Sequence, residues 1–240
     1  MVSKNQIKLI TSLQQKKYRK LHQLFIAEGK KVINELLDAD FELVSLFVTE
    51  ETIFEKHIPY TLITEAELKK ISALTTANDC LAVFKIKEIV TKNEDELVLA
   101  LDSVRDPGNM GTIIRLCDWF GIKKIICSNE TVDIYNPKVV QATMGSIARV
   151  NVIYTDLTSY LSQSNLSIYG TFMEGSNIYE LNLPQKGIIV MGNEANGISS
   201  SIEKLITQKI SIPRFGTIQV TESLNVATAT AIILSEFKRR

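Results

Sequence analysis

A chain of 240 residues with 45% hydrophobic side chains can bury one large core or two small ones. Its 27 lysines and arginines balance its 27 acids, so only a local excess of charge could serve a polyanion. No apolar run approaches the roughly 18 residues that cross a bilayer, and Lys4 and Lys8 precede no signal-peptide core, so a cytoplasmic protein without a membrane partner is expected. Cys80, Cys117 and Cys127 are odd in number and form no C-x-x-C pair, which points away from a disulfide framework and from any metal site.

Residues 1–31 hold eight lysines and arginines (Lys4, Lys8, Lys16, Lys17, Arg19, Lys20, Lys30 and Lys31) against Glu28 alone. Such a patch can hold phosphates with salt-sensitive affinity, and it reads equally as a solubilising helix face. A helical pattern follows near 17–39, then an apolar strand at Leu43–Val48, a helix near 64–73 and a strand at Leu81–Phe84. The polar run Lys92-Asn93-Glu94-Asp95-Glu96 marks a boundary, giving a small α/β domain over 1–92 and a larger one over 97–240.

Beyond it, strand and helix signals alternate. Leu97–Leu101 is a strand, and a helix runs from Asn109 to Phe120, with Ile113, Leu116, Cys117 and Phe120 on its apolar face and Gly121 as its C-cap. Strands follow at Ile122–Cys127, Val150–Tyr154, Ile168–Phe172, Ile188–Met191 and Ile210–Ile212. Helices are expected over Pro137–Ala148, from a capping box Ser200-x-x-Glu203, and over Ser223–Lys238. This alternation implies an α/β fold whose mostly parallel sheet carries helices on both faces.

Three blocks stand at strand-to-helix junctions, where open α/β sheets take their ligands. The first is Asp106-Pro107-Gly108-Asn109, a turn by composition, with Arg115 on the following helix. In isolation Asn109 and Arg115 read as a helix cap and a surface arginine. The second block, Met191-Gly192-Asn193-Glu194-Ala195-Asn196-Gly197-Ile198-Ser199, nearly fits a phosphate-binding P-loop, but Ile198 stands where the lysine belongs. No G-x-G-x-x-G follows any strand, which disfavours a dinucleotide oxidoreductase. The third is Glu222-Ser223-Leu224-Asn225-Val226-Ala227, where Ser223 also suits a helix N-cap.

Together the three blocks resemble, in order, the motifs of the SpoU/TrmH family of RNA ribose 2′-O-methyltransferases. Phe25-Ile26-Ala27-Glu28-Gly29 and Leu81-Ala82-Val83 resemble the small RNA-binding domain attached to many such enzymes, with a departure at Asn78-Asp79-Cys80. The resemblance implies a C-terminal sheet tied in a trefoil knot, S-adenosyl-L-methionine as cofactor, rRNA or tRNA as partner, and a homodimer paired near the last helix. It assigns catalysis to Asn109, Arg115, Glu194, Ser223 and Asn225, and cofactor contacts to Met191, Gly192, Asn193, Ile212 and Leu224. Gly192 is the position whose backbone would approach the cofactor, and Glu194 would hold Arg115 or balance the sulfonium. Arg115 is proposed in the family to activate the ribose hydroxyl. An arginine is effectively never deprotonated, so orientation and charge stabilisation suit it better. With His22 and His57 both in the N-terminal half, a histidine base is not expected. The rival reading is a catalytically silent RNA-binding or assembly factor on the same fold.

Overall fold

The computed structural model describes residues 1–54, 58–87, 96–217 and 223–239. The boundary run at Lys92–Asp95, His57 and Glu222 lie outside the described residues. In chain order the elements are α1 (Lys4–Ser12), α2 (Lys16–His22), β1 (Leu24–Glu28), α3 (Lys30–Asp38), β2 (Leu43–Val48), β3 (Thr61–Leu62), α4 (Glu65–Ile71) and β4 (Cys80–Lys85). There follow β5 (Leu97–Leu101), α5 (Pro107–Phe120), β6 (Lys124–Cys127), α6 (Pro137–Thr143), β7 (Asn151–Tyr154), α7 (Leu157–Ser162) and β8 (Ile168–Asn177). The chain closes with β9 (Gly187–Met191), α8 (Ser200–Glu203), β10 (Gln208–Ser211) and α9 (Val226–Lys238). Two compact units emerge: Met1–Glu88 with Asp133–Arg149, and Ile89–Val132 with Val150–Arg240.

The first unit is built on a four-stranded sheet in the order β1-β4-β2-β3, with β4 antiparallel to both neighbours. Successive side chains of β1 point to opposite faces, and both faces are covered. Ile26 joins Ile10, Leu13, Leu68 and Ile71 on one side. Phe25 meets Phe84 on the neighbouring strand and Tyr135 of the Asp133–Arg149 segment, with ring centroids 5.8 and 4.6 Å away. This double burial makes Leu24–Ala27 a continuous apolar run, and it corrects the expected helix over 17–39. That stretch is α2, a left-handed Gln23 at φ 53°, β1 and α3 in succession. The buried Arg19 guanidinium fixes the added segment: Nε and Nη2 donate to Asp133 Oδ2 at 2.9 and 2.5 Å, and Nη1 donates to the carbonyls of Leu13 and Gln14. Gly145 sits where a Cβ would lie 2.5 Å from Glu35 Cγ, at φ +100°. With Met144 also left-handed, the expected helix over 137–148 ends at Thr143, and a single 3₁₀ turn follows at Ser146–Ala148.

Glu28 is the buried acid of this unit, accepting from Ser72 Oγ at 2.5 Å and Ala73 N–H at 2.8 Å. Burial raises its pKa above the ordinary value, and the two hydrogen bonds only partly oppose this. A raised folded pKa means the folded chain keeps a proton that the unfolded chain has lost. Its contribution to stability is therefore present at low pH and falls as pH rises from 4.5 through the folded value. Glu28→Gln, which keeps an acceptor for Ala73, is expected to gain melting temperature on the wild type as pH is raised across that window. A difference in Tm that stays constant with pH would contradict this.

The second unit carries a six-stranded sheet, β10-β8-β9-β5-β6-β7, parallel throughout. One face buries Val98, Ala100, Ile126, Leu161, Ile188, Val190 and Ile202. Helix α5 buries Met110, Ile113, Ile114 and Cys117, spaced i, i+3, i+4 and i+7. Leu116 and Phe120, expected in that face, are only half-buried. Asp106 is the N-cap, its carboxylate accepting from Asn109 N–H, and Pro107 opens the helix, so the expected turn is already helical. The expected capping box at Ser200 and Glu203 is absent: Ser199 occupies the cap position of a four-residue helix without a side-chain bond.

Candidate active site

The order of strands fixes where a ligand can enter. From β5 the chain moves outward through β6 and β7, and the strands on its other side, β9, β8 and β10, come later in sequence. The order reverses between β5 and β9, and the crevice beyond the carboxyl ends at such a switch point is the natural ligand site of a parallel sheet.

Strand β5 ends in Leu101-Asp102-Ser103. Asp102 is 4% exposed; its backbone N–H donates to the Met191 carbonyl at the end of β9 and its carboxylate accepts from Ser199 N–H at 2.7 Å. Ser103 has φ +59°, a conformation costly for a residue with a side chain. It is held there from both sides, its N–H on Ser128 Oγ at 3.0 Å and its carbonyl accepting from Asn193 Nδ2 at 2.6 Å. These residues position the second block, and the sequence reading passed over them. The available signal was an acid directly after a fully apolar strand.

The second block is a tight loop. Asn193 and Gly197 exchange two backbone hydrogen bonds of 2.9 Å, and Asn193 Oδ1 accepts from Ala195 and Asn196 N–H. A Cβ on Gly192 would lie 2.3 Å from the Gly197 carbonyl carbon and 2.4 Å from Ile198 N. The loop's own backbone therefore demands a glycine here, a structural reason that stands beside the expected approach to a ligand.

At the tip of this loop Glu194 joins the other two blocks. Asn109 Nδ2 donates to Glu194 Oε1 at 3.0 Å, and Asn225 Nδ2 donates to Asn109 Oδ1 at 2.9 Å. The polarity of the chain is set at one end. Asn225, not Ser223, is the N-cap of α9, its Oδ1 accepting from Ala227 and Thr228 N–H, so its Nδ2 must face Asn109. Asn109 then offers its own Nδ2 to Glu194. Residues 85 and 116 apart in sequence from Asn109 are thereby brought to one point.

Arg115 is exposed and is not part of this network. Six residues beyond Asn109, it lies roughly 240° around the helix. It shares its face with Gly108, Thr112 and Trp119, the last 83% exposed. Among the described residues neither Arg115 nor Glu194 has an ion-pair partner; within the chain Glu194 accepts from Asn109. Met191 is buried at the end of β9, Ile212 is half-buried just after β10, and Ser223 and Leu224 are exposed ahead of α9. Among the described residues no cluster of His, Cys, Asp or Glu is arranged to hold a metal ion, and no helix is long and apolar enough to cross a membrane.

Comparison with known proteins gives the same three-block arrangement a family. Residues 4–82 match the MRM3-like substrate binding domain. The 23S rRNA (guanosine(2553)-2′-O)-methyltransferase RlmP of Bacillus subtilis is 28% identical over 97% of this chain and 96% of its own length. RlmB of Neisseria meningitidis, a 23S rRNA (guanosine-2′-O-)-methyltransferase, is 33% identical over 62% of this chain and 60% of its own. A TrmH-family structure from Porphyromonas gingivalis superposes with a TM-score of 0.91 at 37% identity, covering 100% and 99% of the two chains. The AdoMet-bound rRNA methyltransferase from Sinorhizobium meliloti gives 0.85 at 28% identity, covering 100% and 97%. The SpoU rRNA Methylase family itself matches residues 96–235, the span that contains β5, the loop at Gly192 and the cap at Asn225, and the chain belongs to that family.

Proposed function

We propose that this protein methylates a ribose 2′-hydroxyl in structured RNA, rRNA or tRNA, using S-adenosyl-L-methionine. The observation that carries the reading is the Asn225–Asn109–Glu194 chain of hydrogen bonds at the switch-point crevice. The crevice suits the cofactor chemically, because the Glu194 carboxylate meets no cation among the described residues and so can face a sulfonium. Met191, Asn193, Ile212 and Leu224 line the ends of the surrounding elements and would hold it, with Gly192 shaping the loop. When bound, the cofactor supplies an electrophilic methyl group. The chain supplies position: a fixed loop and a fixed carboxamide hold the reacting oxygen and methyl in line, which accounts for much of the barrier in such transfers. Ser223 is assigned to the ribose beside Asn225. No metal takes part.

In this reading the domain over 1–92 binds the RNA and the domain over 97–240 transfers the methyl, with its C-terminal segment threaded in a trefoil knot. The compartment is the cytoplasm. The molecule works as a homodimer. Arg115 and Asn109 of one chain face different ways, and a two-fold pairing through the exposed Arg115–Trp119 face of α5, beside α9, carries Arg115 of one copy to the crevice of the other. Trp119 is the single tryptophan, so its emission reports the pairing. Trp119→Arg is expected to shift sedimentation to one chain and to remove activity. A wild-type mass near one chain at micromolar concentration would end the dimer reading.

The RNA target follows from mapping ribose methylation in rRNA and tRNA of a deletion strain. One 2′-O-methyl site is expected to vanish and to return with the gene. Guanosine 2553 of 23S rRNA, the site named for the Bacillus subtilis relative, is the first to inspect. An unchanged methylation map would overturn the proposal.

A further inference from the structure

We propose that Phe215 and Tyr179 form a stacking platform for a nucleobase of the RNA substrate at the rim of the methyl-transfer crevice, a reading that rests on the RNA methylation proposed above. Phe215 is 84% exposed and lies three residues beyond Ile212, on the segment that leads from β10 toward the cap of α9. Its ring rests beside that of Tyr179, 37% exposed, with centroids 6.4 Å apart and planes inclined by 30°. Tyr179 is held firmly. It sits in the 3₁₀ turn Ile178–Glu180 after β8, anchored by the fully buried Ile178. Its N–H donates to Asn177 Oδ1 at 3.2 Å, and Asn177 Nδ2 donates to Glu180 Oε1 at 2.6 Å.

The two rings lie side by side with one of them almost wholly exposed, so together they present an aromatic face on which a further planar group can stack. Both rings lie beyond the carboxyl ends of β8 and β10, the edge of the parallel sheet at which the crevice opens; the crevice receives a ribose, and every ribose brings a base and its neighbours with it. Bases stack on aromatic side chains whatever their identity, because each has a π-face. The platform therefore contributes affinity and splays a base beside the reacting ribose, and leaves sequence readout to other contacts.

The test compares the wild type with Phe215→Ala and Phe215→Tyr, using rRNA and tRNA of the deletion strain and labelled S-adenosylmethionine. Phe215 contributes nothing to the core, so its removal leaves folding untouched. Phe215→Ala is expected to raise KM for RNA about tenfold, the loss of one base stack, with cofactor affinity and the sedimented mass unchanged. Phe215→Tyr is expected to behave as wild type. An unchanged KM, a matching loss of cofactor affinity, or a shift to the mass of one chain would overturn the platform. Ultraviolet crosslinking of wild type to the same RNA separates this proposal from the one it rests on. A crosslink at Phe215 or Tyr179 supports the platform even where no methyl is transferred, and its absence overturns it.

Discussion

Gly192→Ala is expected to abolish S-adenosylmethionine binding in calorimetry and to lower the melting temperature as well. The added Cβ has no room: backbone atoms of Gly197 and Ile198 stand 2.3–2.4 Å from its position. No side chain can rotate away to make space, so the loop must open and lose the paired Asn193–Gly197 hydrogen bonds that present Glu194. Overpacking of this kind costs about 2 kcal/mol, which for a chain of this size lowers Tm by about 4–8 °C. A variant with wild-type affinity and wild-type Tm would contradict the account of this loop. Loss of affinity without loss of stability would leave close approach to the cofactor, the role expected from sequence, as the reason for the glycine.

Arg115→Ala should show the opposite pattern. Its side chain is exposed and bonds to nothing among the described residues, so stability and cofactor affinity are expected to hold. Turnover is expected to fall by about 10²–10³, the usual loss when a charge-stabilising donor is removed from a transition state. Arg115→Lys keeps the charge and loses the planar fork, so it should recover only part of the rate. Turnover near wild type in Arg115→Ala would remove the residue from the mechanism.

The second unit was the more legible in sequence. Most of its strands are short and apolar, β8 alone among the six running on to Asn177 with an exposed second half, and β5 and the Gly121 C-cap fall where the pattern put them. What failed was local and has physical causes. Leu24–Glu28 is buried on both faces and so lacks the alternation that marks a half-exposed strand; it was absorbed into a helical pattern. The break after Thr143 comes with left-handed Met144 and Gly145, and at Gly145 only glycine fits because Glu35, more than a hundred residues earlier, fills the place of a Cβ. Asn225 displaced Ser223 as the cap because its carboxamide serves two ends, the helix amides and Asn109. In the site, sequence motifs named the residues Asn109, Glu194 and Asn225, but pairwise contacts were beyond them. Only the fold shows that Glu194 turns to Asn109 and that Arg115 faces away. Residues 133–149 carry a related lesson. They lie within the span that matches the methylase family, yet they pack with the first unit through Tyr135 and Asp133. Deleting 1–90 is therefore expected to strip that segment of its packing surface and to lower the melting temperature of what remains.

The most direct test of the whole account is transfer of labelled methyl from S-adenosylmethionine to RNA of the deletion strain by the purified protein, followed by complete digestion to nucleosides and mass spectrometry. The expected result is label in a single 2′-O-methylated nucleoside, lost in Arg115→Ala. Label carried on a base, or no label in any RNA while the cofactor still binds, would contradict it and favour a silent RNA-binding factor on the same fold.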